Sequence, residues 1–136
     1  MKRPIIIAWA QEYSVGENNL DDDHKYLLQI INKIYVNGKS MKREEAERCL
    51  SDLIAYAVRH FHREESHMRR IGFDGLARHK TLHDEFMVRA QQFHREFSGS
   101  GAPTVTDEVS KFLASWWKDH ILHEDQRYAE AKNGVR

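Results

Sequence analysis

The sequence predicts an all-α protein that folds as an up-down-up-down antiparallel four-helix bundle with an N-terminal arm. Four long segments repeat apolar residues every three or four positions, and short links join them. No segment alternates apolar and polar residues convincingly, as a half-buried strand does. Because short links between long amphipathic helices favour antiparallel neighbours, these observations together indicate the bundle.

Each predicted helix has recognisable limits. The helices are expected at residues 20–36, 42–71, 75–97 and 104–131, with links at 38–41, 72–74 and 98–103. Asn37-Gly38 and Gly72 suit helix ends, and Pro103 suits the first turn of the fourth helix. At about 150 residues per domain, residues 1–136 form a single domain. The arm would span residues 1–18 and the bundle about 19–132.

Composition excludes several function classes. Apolar residues make up 40% of the 136 residues and charged residues 31%, which is typical of a folded domain. The 21 basic and 21 acidic residues cancel, so no bulk charge attracts nucleic acid or an anionic membrane. The single cysteine, Cys49, excludes internal disulfides and multi-cysteine metal sites. Neither a secretory leader nor a membrane span is evident, so a cytoplasmic protein is expected.

Histidines fall on the predicted inward faces of all four helices, and a glutamate joins them. These residues are His24, His60, Glu64, His79, His83 and His120. The members on the second and third helices are spaced four apart, so each pair shares one face of its helix. Five imidazoles in an apolar core would leave buried nitrogens without partners, at about 1–3 kcal/mol each. Transition-metal ions bind neutral imidazole well, so the pattern predicts a buried metal site.

The number and type of these ligands indicate two metal ions. Five histidines with one or two carboxylates exceed the ligand set of one tetrahedral zinc. A nitrogen-rich set favours two divalent transition-metal ions, and iron is the metal expected. Asp125 is the candidate second carboxylate, although it lies five residues after His120, about 140° away on a regular helix. It reaches the centre if the helix widens locally, as at a π-bulge. Otherwise Asp125 is a solvated charge.

The other acids and histidines near these positions are expected to lie outside the metal site, and the histidines to face solvent. The acidic ones suit helix-surface charges or charges at a helix N-terminus, and they are Asp21, Asp22, Asp23 and Glu65. The histidines lie off the apolar stripes, and they are His62, His67, His94 and His123.

Four stretches carry the candidate ligands at fixed spacing. They read Asp21-Asp22-Asp23-His24-Lys25-Tyr26-Leu27, His60-Phe61-His62-Arg63-Glu64-Glu65, His79-x-x-x-His83 and Trp116-Trp117-x-x-His120-Ile121-x-x-x-Asp125-x-x-Tyr128. Together with Trp9 and residues 13–16 of the arm, these stretches resemble the hemerythrins, most closely the single-domain bacterial form, bacteriohemerythrin. The resemblance extends over nearly the whole chain.

The resemblance implies a non-heme di-iron centre, oxo- or hydroxo-bridged, that binds O2 reversibly. The three histidines of the third and fourth helices would hold one iron. His24 and His60 would hold the other iron and leave it an open position, while Glu64 and Asp125 would bridge the two. The expected small ligand is O2, with NO or azide as alternatives. No protein partner is identified.

Phe61, Trp117 and Ile121 are expected to wall the O2 pocket and keep water away from it, although they would also pack in any bundle core. Trp117 departs from the family, which usually has leucine at this place. An indole is larger and carries an N–H donor. It would fill the pocket, gate it or donate a hydrogen bond to the ligand, and these alternatives stay open.

The expected function is not enzymatic: the protein carries, stores or delivers O2. One alternative is a sensor of O2, NO or redox state that acts through a separate partner protein. Another is a di-iron oxidase or peroxidase. The histidine-rich ligand set counts against that chemistry, while Trp117 keeps it open.

Overall fold

The computed structural model describes residues 8–37, 40–100 and 107–132, and it confirms the all-α class. The helices are α1 (Asn18–Asn37), α2 (Arg43–Arg70), α3 (Leu76–Ser100), α4 (Asp107–Asp119) and α5 (Asp125–Lys132). A π-helical segment, His120–Glu124, joins α4 to α5 without a break, so these three form the fourth helix of the bundle. No strand occurs within the described ranges.

The predicted helix limits agree with the structure to within a turn wherever both can be compared. Pro103 and the predicted start of the fourth helix at residue 104 lie outside the described residues, as do residues 1–7 of the arm. The rest of the arm contains a 3-10 turn at Gln11–Tyr13. Gly72 ends α2 with a positive φ of 67°, a conformation that costs glycine little.

The bundle buries two apolar clusters. α2 packs against α1 and α3, and α4 packs against α1. The larger cluster includes Leu27, Phe61, Phe86 and Ile121. The smaller cluster lies beside the arm and consists of Val15, Leu20, Met68, Tyr128 and Ala129. Along α1, His24 lies between Leu20 of the smaller cluster and Leu27 of the larger one. Glu64 of α2 and Asp125 of the fourth helix also lie between residues of the two clusters, so a polar layer separates them.

None of the helices in the described ranges combines the length and apolar character needed to cross a bilayer.

Candidate metal centre

The predicted ligands meet in this polar layer and are closed off from solvent. None of the seven is more than 3% exposed. Their ligand atoms form two groups, and within each group the atoms lie within 4.8 Å of one another. The first group is Glu64, His79, His83 and His120, and the second group is His24, His60, Glu64 and Asp125.

The first group depends on regular helical spacing. His79 and His83 lie one turn apart on α3 and face Glu64 of α2. Glu64 Oε1 is 3.0 Å from His79 Nε2 and 2.9 Å from His83 Nε2. His120 Nε2 lies 3.1 Å from His83 Nε2 and 3.7 Å from Glu64 Oε1. Three imidazoles thus converge on one carboxylate oxygen.

The second group uses the opposite oxygen of the same carboxylate. Glu64 Oε2 is 3.4 Å from His24 Nε2 and 3.3 Å from His60 Nε2, and these two nitrogens are 3.0 Å apart. Asp125 divides its oxygens in the same way. Its Oδ2 is 3.1 Å from His24 Nε2, whereas its Oδ1 is 3.0 Å from both His79 Nε2 and His120 Nε2. Each carboxylate therefore directs one oxygen at each group.

Asp125 reaches the layer through the π-helical segment. Its backbone N–H donates to the carbonyl of His120, five residues earlier, so both side chains lie on the inner face. The side-chain Nε2 of Gln126 donates a hydrogen bond to the backbone carbonyl of Ile121 at 3.4 Å, within the widened turn. Asp125 is 0% exposed, so the alternative of a solvated charge is wrong.

The donor chemistry of the layer fits metal cations. In the described part of the chain, both oxygens of Asp125 are buried without a hydrogen-bond partner, although histidine nitrogens lie 3.0–3.1 Å away. The atoms therefore approach one another without hydrogen-bond geometry, as ligands of a common ion do. Two carboxylates and several imidazoles converging in this way suit borderline divalent metals.

The two buried carboxylates also demand positive charge. Burial alone lowers the pKa of His24 and of His79, but the adjacent carboxylates of Asp125 and Glu64 outweigh it and raise each pKa to about 10. Burial raises the pKa of Glu64, but the surrounding histidines hold it well below its usual value. Bound metal cations would supply the same charge without protons.

Several acids that were expected at the surface are buried, and that expectation was wrong for them. Asp23 is 3% exposed and accepts hydrogen bonds from His60 Nδ1, Arg63 and Tyr56. Glu65 is 9% exposed and accepts one from His83 Nδ1 at 2.8 Å. These donors compensate the desolvation of both carboxylates. A signal existed in the sequence, because each acid adjoins a predicted ligand and ligand histidines need an acceptor for their second ring nitrogen.

Two further findings concern the region beside the arm. Asp21 lies in the first turn of α1, as predicted for a charge at a helix N-terminus, but it is buried because Ser14 Oγ and the Val15 N–H donate to its carboxylate, at 2.5 and 2.9 Å, and so attach the arm to α1. His67 is buried because its ring packs edge-on against Tyr128, with ring centroids 5.5 Å apart. His62 and His123 are exposed as predicted, whereas His94 is half-buried and bonded to Ser51.

The three residues predicted to wall a pocket lie in the larger apolar cluster, next to the ligand layer. Phe61 stacks on the ring of His83 with centroids 3.8 Å apart, and Trp117 stacks on Phe61 at 5.5 Å. The Trp117 ring is 6.1 Å from that of His60. Its indole N–H is buried without a hydrogen-bond partner among the described residues. Ile121 is also buried, directly after His120.

Comparison with known proteins gives a consistent result. The family described as "Hemerythrin HHE cation binding domain" matches residues 15–131. A bacteriohemerythrin of Clostridium acetobutylicum is 29% identical over 129 residues, which cover 92% of this chain and all of that protein. A hemerythrin-like protein of Naegleria gruberi is 30% identical over 125 residues and 92% of each chain.

Solved structures agree with the sequence matches. A crystal structure of wild-type hemerythrin superposes with a TM-score of 0.81 at 28% identity, covering 90% of this chain and 95% of that one. The matching family is an O2-binding family with a non-heme di-iron cofactor, and the model of that family spans most of the chain. This protein therefore belongs to the hemerythrin HHE cation-binding family, and its cofactor is a non-heme di-iron centre.

Proposed function

We propose that this protein binds O2 reversibly at its di-iron centre and carries, stores or delivers it. The observation that supports this most is the division of the carboxylate oxygens. Glu64 and Asp125 each direct one oxygen at each histidine group, as two residues that bridge a pair of ions must. The di-iron centre supplies the reversible binding of O2, and the residues of this chain supply its surroundings.

The two groups give the two irons different numbers of ligands. In the proposed assignment His79, His83 and His120 would hold one iron. His24 and His60 would hold the other, Glu64 and Asp125 would bridge both, and an oxo or hydroxo group would complete the bridge. The second iron then has one protein ligand fewer, so a small molecule has a position there. Since protein ligands and the bridging group would fill the remaining positions, the arrangement favours binding of one small ligand over turnover of a larger substrate.

The apolar residues beside the ligands are proposed to exclude water from that position. Phe61 and Ile121 present only hydrocarbon, and burial of a reactive site among such groups suppresses hydrolysis and proton leakage. Trp117 adds bulk and a buried N–H donor without a partner in the described ranges. These features support a role for Trp117 in filling or gating the pocket, or in donating a hydrogen bond to the ligand. A cytoplasmic location, and the expectation of no nucleic-acid or membrane partner, stay predictions.

The proposal is tested with anaerobically reduced, iron-loaded protein. Elemental analysis is expected to give two irons per chain; one zinc, or no metal after iron-replete expression, contradicts the ligand assignment. Exposure to O2 is expected to produce an absorption band that disappears under argon and returns over repeated cycles. Rapid irreversible oxidation with release of peroxide would instead indicate an oxidase, and a response that requires a partner protein would indicate a sensor.

A further inference from the structure

One histidine in each ligand group is backed by a carboxylate that is not itself a predicted ligand. In the second group, His60 Nδ1 donates to Asp23 Oδ2 at 2.9 Å. In the first group, His83 Nδ1 donates to Glu65 Oε2 at 2.8 Å. Such a bond fixes the ring so that Nε2 faces the centre, and it makes that nitrogen a stronger electron donor to a metal. On the proposed assignment, each carboxylate acts on a different iron.

The two carboxylates differ in how their charge is compensated. The Arg63 guanidinium donates two hydrogen bonds to the Asp23 carboxylate, from Nε to Oδ2 at 2.8 Å and from Nη2 to Oδ1 at 2.6 Å. Tyr56 adds a third donor with its hydroxyl, 2.7 Å from Oδ1. A bidentate Arg–carboxylate pair of this kind is among the stronger charge-assisted interactions. No lysine or arginine in the described part of the chain forms an ion pair with Glu65.

This difference in charge bears on the redox state of the two irons. A negative carboxylate behind an imidazole stabilises the higher charge of ferric iron over ferrous iron. A guanidinium on the same carboxylate cancels much of that effect, because the two charges are in contact. Glu65 therefore favours the ferric state at its iron more strongly than Asp23 does.

We infer that Arg63 is a positioning residue that makes the two irons electronically unequal, because it pairs with Asp23 behind His60 whereas no lysine or arginine of the described residues pairs with Glu65 behind His83. This inference rests on the proposed ligand roles. Its consequence is that the iron with the open position is the harder of the two to oxidise. That iron then stays ferrous until a ligand arrives, which protects the reduced protein against spontaneous oxidation.

The test is an anaerobic spectroelectrochemical titration of the iron-loaded protein and its variants. Arg63→Gln leaves Asp23 uncompensated, so one midpoint potential falls, with about a tenfold change in the ratio of oxidised to reduced centre at fixed potential. For a one-electron step this is about 59 mV. Glu65→Gln removes the other charge and raises the second midpoint by a similar factor. The two substitutions therefore move the midpoint potentials in opposite directions. Both reduce the difference between the midpoint potentials of the two irons.

Matched variants separate this mechanism from a general loss of charge. Arg59 lies one turn before Arg63 on α2, is exposed, and contacts the ring of Tyr56 rather than Asp23. Arg59→Gln is expected to leave both potentials unchanged, and Arg63→Lys, which keeps the charge, is expected to stay near wild type. Tyr56→Phe removes a neutral donor and lowers the same potential as Arg63→Gln by a smaller factor.

The outcomes that contradict the inference are distinct from those that contradict the proposed function. Fewer than two irons in the wild-type chain overturns the proposed function. Two irons in the wild type with an unshifted Arg63→Gln potential, or equal shifts in Arg63→Gln and Arg59→Gln, overturns the role of Arg63 alone. If Arg63→Gln does not retain iron, the test uses Tyr56→Phe and Glu65→Gln instead. Midpoint potentials that shift with the same sign in these two variants, or that do not shift, overturn the inference.

Discussion

The histidine group on α3 and the group around His24 differ in how the backbone delivers their ligands. His79 and His83 follow from one regular turn of helix, so the first group depends on ordinary α-helical phase. The second group includes Asp125, which faces inward only because five residues before it form a π-helical segment. When the helical phase near residue 123 changes, the first group should lose only the Asp125 oxygen and keep three histidines with Glu64. The second group keeps only two histidines with Glu64, so it should depend more strongly on that phase.

The residue common to both groups should give the largest effect. Glu64→Ala removes one oxygen from each group and leaves the Tyr128 hydroxyl, 2.9 Å from Glu64 Oε2, without its acceptor. We expect loss of both irons in elemental analysis, with the helical circular dichroism largely retained because both apolar clusters remain. His62→Ala, on the exposed side of the same helix, should keep two irons. Retention of two irons by Glu64→Ala would disprove the bridging role.

Changes in chain length at the π-helical segment should separate the two groups. Inserting one alanine after His123 rotates Asp125 by about 100° and should empty at least one iron position. Deleting the exposed His123 places Asp125 four residues after His120, which is the inward position of a regular α-helix. The deletion variant should therefore keep two irons. If the deletion also abolishes iron binding, the π-helical segment does more than set the phase of Asp125.

The pH dependence of metal-free protein should show the excess negative charge that both groups share. The raised pKa values of His24 and His79, about 10, give stability that is complete below the unfolded value of 6.5 and is lost as pH rises towards 10. The lowered pKa values of Glu64 and Asp125 stabilise the folded chain at any pH above the ordinary carboxyl pKa. This stability is lost as the pH falls further into the acid range. Urea unfolding should therefore give a maximum near pH 5–6.

The iron-loaded protein provides the comparison for that experiment. Metal cations replace protons in the layer, so the loaded chain should lose much less stability between pH 7 and 9. A metal-free chain equally stable at pH 6 and pH 9 would contradict the charge balance described for the layer.

The smallest expected effect concerns access to the second group. Trp117→Leu removes bulk close to His60, so azide should bind the oxidised protein several-fold faster in stopped-flow mixing, with iron content unchanged. Trp116 is a matched control, because it stacks at 4.4 Å on His120 of the other group. Trp116→Leu should leave the azide rate close to wild type. If Trp117→Leu binds azide with the wild-type rate and affinity, Trp117 only packs in the core and does not control access to the metal centre.

The sequence was sufficient for the fold and for the candidate ligands that obey helical periodicity. The spacing of four residues alone placed His60 with Glu64, and His79 with His83, on the inner faces where the structure has them. Asp125 could not, because periodicity places it on the wrong face and nothing in the residues 120–124 announces a π-helical turn. Only the family resemblance raised it above a solvated charge.

The buried acids show a second limit of reading a sequence by its apolar stripe. Asp23 and Glu65 each lie one residue from a ligand and therefore at the edge of the inner face. Their burial depends on partners distant in sequence: Arg63 and Tyr56 come from α2, and His83 comes from α3. A carboxylate without partners is expected at the surface because burial removes its hydration. Only the donors that the fold brings together offset the free energy of desolvation.

The aromatic rings around the layer also give the protein an optical reporter. Trp116 and Trp117 lie within about 6 Å of ligand imidazoles, whereas Trp9 lies on the arm against Tyr13. Excited indoles so near a coloured iron centre lose their energy to it before they emit. Tryptophan fluorescence should therefore fall as iron enters. The chain thus carries its own label for following iron loading in dilute solution.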